Sequence, residues 1–367
     1  PSRGLGDVYK RQEKEGRYFF LVSCVCMLLG VLMTYRKPKN TVFYLKEGCL
    51  ATSLSWIILS LFGAIPFWIS GEIPQWENAL FETISGFTTT GATVLSNVEG
   101  LSHTALIWRS FTHWIGGMGV LVFLLAILPL SGGSSINLMR AESPGPSVGK
   151  LVPKVRYTAM ILYTIYFGMT VIEFIFLLAG KMPVFDALTT AFGTAGTGGF
   201  GIKNDSIMGY SPYIQWVVAI FMILFGINFN FYFYILYRHF RKAISMEEIH
   251  YYLAMILIAV TIIFLNVRTM YPTGFEAMTH SVFQVASLAT STGFSTTDFD
   301  LWPQTSQTIL IIVMFVGACA GSTGGGMKVS RLLLMGKTVG KELKQALHPQ
   351  VVAPCLLYTS PSPRDGL

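Results

Sequence analysis

Three short uncharged loops interrupt an otherwise apolar chain, and they restrict the fold more than any other feature. They read TTTGA (Thr88–Ala92), AGTGG (Ala195–Gly199) and TSTGF (Thr290–Phe294). Each contains a Thr-Gly step, at Thr90-Gly91, Thr197-Gly198 and Thr292-Gly293, with spacings of 107 and 95 residues. Each follows a semi-apolar stretch, near 78–86, 185–193 and 276–289, that is shorter than the roughly 20 residues a spanning helix needs. Longer apolar runs flank every unit. A period near 100 residues with one internal order (span, short helix, Gly/Thr loop, span) marks an internally repeated chain.

Composition places those repeats in a bilayer. A soluble domain carries about 25% charged residues, whereas this chain of 367 residues has 12%, with 52% hydrophobic. Apolar windows near 18–35, 49–70, 104–130, 157–180, 213–237, 250–267 and 307–320 approach spanning length. The chain therefore reads as an all-α integral membrane protein. Lysine and arginine divide sixteen to three between alternate loops: the rich set includes Arg36, Arg140, Arg238 and Lys344, the poor set is Lys181, Lys203 and Arg268. The rich set is cytoplasmic by the positive-inside rule, so the half-crossing segments and their loops open outward. The expected organisation is a leading helix and cytoplasmic loop over 13–45, then repeats over 46–154, 155–248 and 249–354.

Both ends depart from this pattern. Residues 1–12, PSRGLGDVYKRQ, and the stretch from Cys355, CLLYTSPSPRDG, can be encoded on opposite strands of one DNA segment resembling a transposon-type sequencing adaptor. Segments 1–12 and 355–367 are accordingly expected to be translated adaptor artefact and are set apart from fold reasoning. Without them the formal net charge falls from +7 to +5. A basic balance this small fits cytoplasmic loops and gives no reason to expect nucleic acid as a partner.

Several chemistries lack support in the residues. The five cysteines have no zinc-type spacing with histidine, and the six histidines show no i, i+4 pair. The stretch GSTGGGMK near residue 321 resembles a phosphate loop but inserts Met327 before Lys328, and a spanning helix precedes it where a strand is required. No Ser/His/Asp grouping suggests hydrolysis. An enzyme is not expected.

The loops suit a dehydrated cation. Irregular backbone at membrane depth is tolerated only where it is buried in protein or lines a wet cavity. Glycine lets carbonyls turn inward and leaves no Cβ in the way, and successive carbonyls can replace a hydration shell, as in potassium filters. The loops contain no carboxylate, which favours rapid passage of a monovalent ion. Each short helix aims its C-terminal, negative end at its loop. The candidate filter residues are Thr89, Thr90, Gly91, Gly196, Thr197, Gly198, Ser291, Thr292 and Gly293, whose neutral dipoles suit K⁺ or Na⁺ as the bound and transported ion.

At FETISGFTTTGAT, HWIGGMGVLVFLLAILPL, RAESPGP, DALTTAFGTAGTGGFG, GINFNFYF, ATSTGFSTTDFDLWP and GACAGSTGGGMKVSRLLL the chain resembles the Trk/Ktr/HKT superfamily of cation transporters, most of all its bacterial TrkH/TrkG branch. That resemblance implies M1–pore helix–M2 units around a pseudo-fourfold pore, of which three of four are present. It implies that the break over 317–328 is an intramembrane gate below the filter, formed by Gly321, Ser322, Thr323, Gly324, Gly325, Gly326 and Lys328. Lys328 stands at the inner mouth, either there or snorkelling at the interface. It further implies potassium uptake at the bacterial inner membrane by a channel or symporter, a homodimer, and a cytosolic TrkA-like nucleotide-binding partner. A sodium-conducting relative and a non-transporting sensor or scaffold are the alternatives.

Two intramembrane ionisable residues stand out by default. Arg109, in the first M2, is expected to brace a pore helix through Glu82 or to temper cation access. Glu173 reads as a helix-packing partner.

Overall fold

The computed structural model describes residues 3–35, 45–119 and 155–347, and all regular structure among them is helical. Repeat one comprises α2 (Leu45–Ser70), α3 (Trp76–Phe87) and α4 (His103–Met118). Repeat two comprises α5 (Val155–Ala179), α6 (Val184–Ala195) and α7 (Pro212–Phe225), which continues as α8 (Phe229–Leu236). A short α9 (Phe240–Ile244) leads to repeat three: α10 (Glu247–Val267), α11 (Gly274–Ala289) and α12 (Gln304–Val316). The helix α1 (Arg3–Thr34) precedes them and α13 (Val329–Leu347) follows. The inner part of the first M2 (120–130), the RAESPGP segment, the loop 36–44 and the stretch from 348 onward lie outside the described residues.

Length and capping explain the short helices. At 1.5 Å per residue, α3 and α6, each of 12 residues, reach about 18 Å, little over half of a ~30 Å hydrocarbon core. The second M2 starts with Pro212 in its first turn, where a missing N–H costs nothing. Ser102 caps α4 by accepting from the Ala105 N–H at 3.2 Å, and Thr273 caps α11 by accepting from Glu276 at 3.2 Å.

One packing rule builds the assembly. Each short helix is held between the two long helices of its own repeat: α3 by α2 and α4, α6 by α5 and α7, α11 by α10 and α12. Each M2 also packs on the short helix of the next repeat, α4 on α6 and α7 on α11. The repeats thus follow one another around a common axis. Their inward faces are small, with Ala79, Ala187, Ala191, Ala195, Ala277, Ala286 and Ala289 fully buried. Outward-facing Phe20, Ile57, Phe167 and Leu257 stay exposed, as lipid-facing side chains do.

The third M2 ends early. Its helix stops at Val316, where Gly317 (φ +74°) turns the chain into the glycine-rich stretch. The second M2 departs further from expectation: the apolar run 213–237 is not one continuous helix. Its axis turns by 90° between α7 and α8. Gly226 ends the first piece, and Asn228 starts the second by accepting from the Asn230 N–H at 3.0 Å. The carbonyl freed at Gly226 accepts the Cys319 N–H at 3.1 Å. The elbow in repeat two is therefore filled by the break in repeat three.

A Cβ at Gly226 would meet the Tyr252 hydroxyl and lie 2.9 Å from the Thr290 methyl. Gly226→Ala is expected to cost about 1–3 kcal/mol, as overpacking does, and to lower the thermal midpoint of the detergent-solubilised protein.

Candidate functional site

The three loops leave their helices in one way. The helix caps are Thr88, Gly196 and Thr290. The next residue is left-handed in every loop: Thr89 at φ +53°, Thr197 at +50° and Ser291 at +55°. Its N–H returns to the carbonyls of Gly86, Thr194 and Leu288 at 3.0–3.1 Å. The following N–H, of Thr90, Gly198 and Thr292, reaches back to Ser85, Gly193 and Ser287 at 2.9, 3.0 and 2.8 Å. This is the two-bond Schellman ending, made three times. It satisfies the last helical carbonyls internally and leaves those of the loop proper free. Gly91 (+75°), Gly199 (+75°) and Gly293 (+86°) come next.

This geometry corrects the register of the second loop. Aligning Thr-Gly steps pairs Gly198 with Gly91 and Gly293, but the backbone pairs Gly199 with them. Gly198 is the counterpart of Thr90 and Thr292, and Gly196 belongs to the helix cap. The sequence carries this register as a hydroxyl residue followed two positions later by glycine: Thr89-x-Gly91, Thr197-x-Gly199, Ser291-x-Gly293.

The loops converge. The Gly198 carbonyl oxygen occupies the space that a Cβ on Gly91 would need, and the Thr292 carbonyl oxygen occupies that space at Gly199. The Thr292 oxygen also lies 3.8 Å from the Cβ position of Gly91. Main-chain oxygens of loops two and three thus meet the glycines of loops one and two at one place, over helices whose negative ends point there.

Loops one and three brace themselves; loop two does not. In loop one Thr88 and Thr90 share a hydroxyl–hydroxyl bond of 2.8 Å, and Ser85 donates to the Ala92 carbonyl at 2.6 Å. Thr290–Thr292 (2.7 Å) and Ser287 to Phe294 (2.6 Å) repeat both in loop three. The matching positions in loop two are all glycine: Gly193, Gly196 and Gly198. Neighbours fill them, with the Phe294 ring 2.9 Å from the Cβ position of Gly193, the His113 carbonyl against Gly196 and the His113 imidazole against Gly198. His113 was not among the sequence candidates. Its ring is fully buried, its centroid lies 4.1 Å from that of Phe200, and neither ring nitrogen has a hydrogen-bond partner among the described residues.

The expected Arg109–Glu82 pair is present, and its role is bracing. Arg109 Nε lies 3.1 Å from Glu82 Oε2, with side chains 2% and 0% exposed. Glu82 also accepts from the Val94 N–H at 2.8 Å and from the Thr93 hydroxyl, on the far side of loop one. Arg109 donates to the Gly201 carbonyl at 3.3 Å and lies 4.1 Å over the Phe200 ring, beyond loop two. The pair ties the first two loops together from behind. Glu173 is fully buried, and neither of its carboxylate oxygens has a hydrogen-bond partner among the described residues.

The glycine-rich stretch lies directly under loop three. The Gly325 N–H donates to Ser291 Oγ at 2.7 Å, and Thr323 donates to the Phe225 carbonyl at 3.3 Å. Lys328 does not snorkel: it is 8% exposed, and its ammonium group donates to the Gly324 carbonyl within the same stretch. Among the described residues no cluster of His, Cys, Asp or Glu could hold a metal ion.

Re-entrant helices that deliver three charge-free loops to one axis, above an intramembrane break, define a multi-pass membrane transport protein. The family described as TrkH, cation transport protein, matches residues 15–358, and the chain belongs to it. The Trk system potassium uptake protein TrkH of Salmonella typhimurium is 36% identical over 351 residues, covering 93% of this chain and 72% of that protein. The Escherichia coli protein TrkG is 31% identical over 350 residues, with the same coverage. The crystal structure of the potassium transporter TrkH from Vibrio parahaemolyticus superposes with a TM-score of 0.80 at 30% identity, covering 93% of this chain and 71% of that one.

Glu82→Gln leaves a buried guanidinium without its counter-charge, a change that typically costs about 3–5 kcal/mol. Its thermal midpoint in detergent should fall accordingly. Exchanging the two residues, Glu82→Arg with Arg109→Glu, should not restore it, because the Val94 N–H would then face a cation and the Gly201 carbonyl an anion.

Proposed function

We infer that this chain is the pore-forming subunit of a Trk-type potassium uptake system in a bacterial inner membrane. Potassium enters from outside, sheds water at the converging loops and is held there by main-chain carbonyls of Thr89 to Gly91, Thr197 to Gly199 and Ser291 to Gly293. The observation that carries this reading is the approach of the Gly198 and Thr292 carbonyls to the glycines of neighbouring loops. Oxygens gathered from successive repeats around one axis are what a dehydrated monovalent cation requires. Glycine at Gly91 and Gly199 supports K⁺ over Na⁺, since any side chain there would push those oxygens apart.

The stretch Gly321 to Lys328 serves as the gate below the filter. Its direct bond to Ser291 supports that role, because motion of the stretch is then felt by loop three. The working assembly is a homodimer, with a TrkA-like cytosolic subunit docked on the basic inner face. Nucleotide belongs to that subunit.

Expression in cells lacking potassium uptake tests the reading. Wild-type protein should restore growth on low potassium. Gly199→Ser meets both a left-handed backbone and the Thr292 carbonyl, a strain of about 1–3 kcal/mol. Potassium uptake should therefore fall roughly tenfold, with a rise in sodium relative to potassium. Unchanged flux and selectivity in a protein that reaches the membrane would refute the filter.

A further inference from the structure

The glycine-rich stretch is fastened at both ends by one atom. Glu248, in the first turn of α10, places its Oε1 2.6 Å from the Ala320 N–H and 3.2 Å from the Ser330 N–H. These two amides bracket Gly321 to Lys328. We propose that Glu248 is a positioning residue, a latch that pins the two ends of this loop together against α10 and holds the inner pathway closed. The proposal rests on the reading of the loop as a gate.

Three observations support it. The loop is intrinsically loose, with five glycines between Gly317 and Gly326, each of which loses more freedom on ordering than any other residue. Its ties to the rest of the protein, Glu248 apart, run to different bodies: to Phe225, Gly226 and Phe229 of repeat two and to Ser291 of loop three. Backbone bonds close the base of the loop, from the Met327, Ala318 and Val329 amides to the carbonyls of Phe315, Gly325 and Ala318 at 3.1–3.3 Å, and Glu248 adds an ionised side chain that ties Ala320 to Ser330 from outside the loop. A carboxylate is suited to this, because charge-assisted bonds to backbone N–H are roughly twice as strong as neutral ones. The neighbouring Glu247 pairs with Lys337 of α13, the helix that leaves the loop. A single turn at the cytoplasmic end of α10 therefore holds both the loop and the helix beyond it. A partner that displaces α13 would pull on Ser330 and so on the latch.

Cys319 reports the loop's state without requiring conduction. It is fully buried, immediately before Ala320. In a background with Cys24, Cys26, Cys49 and Cys355 replaced by serine, maleimide labelling of Cys319 is followed in membranes, and rubidium flux is measured in parallel. Glu248→Ala should raise the labelling rate roughly tenfold, as loss of two bonds to a charged acceptor implies, and should raise basal flux. Glu248→Gln keeps an acceptor oxygen but loses the charge, and should label at a rate between wild type and Glu248→Ala. Glu247→Gln breaks an exposed ion pair of little worth and should label slowly. If Glu248→Ala does not reach the membrane, Glu248→Asp supplies a graded loss with the same readouts. Wild-type labelling in the alanine or aspartate variant, or equally fast labelling in Glu247→Gln, overturns the latch. Fast labelling with unchanged flux leaves the latch standing and overturns the gate, whereas the Gly199→Ser result bears only on the filter.

Discussion

A turn buried at bilayer depth persists only if every amide it frees finds another acceptor. The paired bonds at the ends of α3, α6 and α11 meet that requirement three times with one geometry. The Thr90, Gly198 and Thr292 amides return to their own helices, so the loops need no outside acceptor for them. Of the carbonyls that follow, those of Gly198 and Thr292 point towards the loops of neighbouring repeats. An ion can complete what the helices leave open. The hydroxyl residues Thr89, Thr197 and Ser291 accept a left-handed backbone that would usually call for glycine, and glycine is reserved for the next turn, where φ is again positive and, at Gly91 and Gly199, neighbouring oxygens leave no room.

The second repeat departs from its neighbours in an orderly way. Where loops one and three carry serine and threonine hydroxyls as internal struts, loop two has Gly193, Gly196 and Gly198, and its support arrives from His113 and Phe294. Arg109 adds a tie from behind through Gly201 and Phe200. Side chains from repeats one and three thus hold loop two from either side. Near-symmetry of backbone coexists with marked asymmetry of support.

Much of this was legible in the sequence, and the misses have physical causes. Long apolar runs and short semi-apolar ones separate by length, so the spans and the half-crossing helices were readable. The Arg109–Glu82 pair was readable because buried charges need partners. The register slip in loop two arose because the Thr-Gly step is prominent as text, while the backbone is governed by which residue turns left-handed. The elbow at Gly226 was hidden because apolarity continues across it and only Asn228 and Asn230 mark it. His113 and Glu248 were invisible because their roles depend on what other repeats bring next to them, and no local pattern records that.

The interlock of the α7–α8 elbow with the glycine-rich stretch sets an order of assembly. The Gly226 carbonyl finds its amide at Cys319, on a segment synthesised only after all of α10, α11 and α12. Until that segment arrives, the bend has an unmet acceptor inside the bilayer. Repeat two therefore leaves the ribosome unfinished, and it is completed from downstream as the third hairpin threads beneath it.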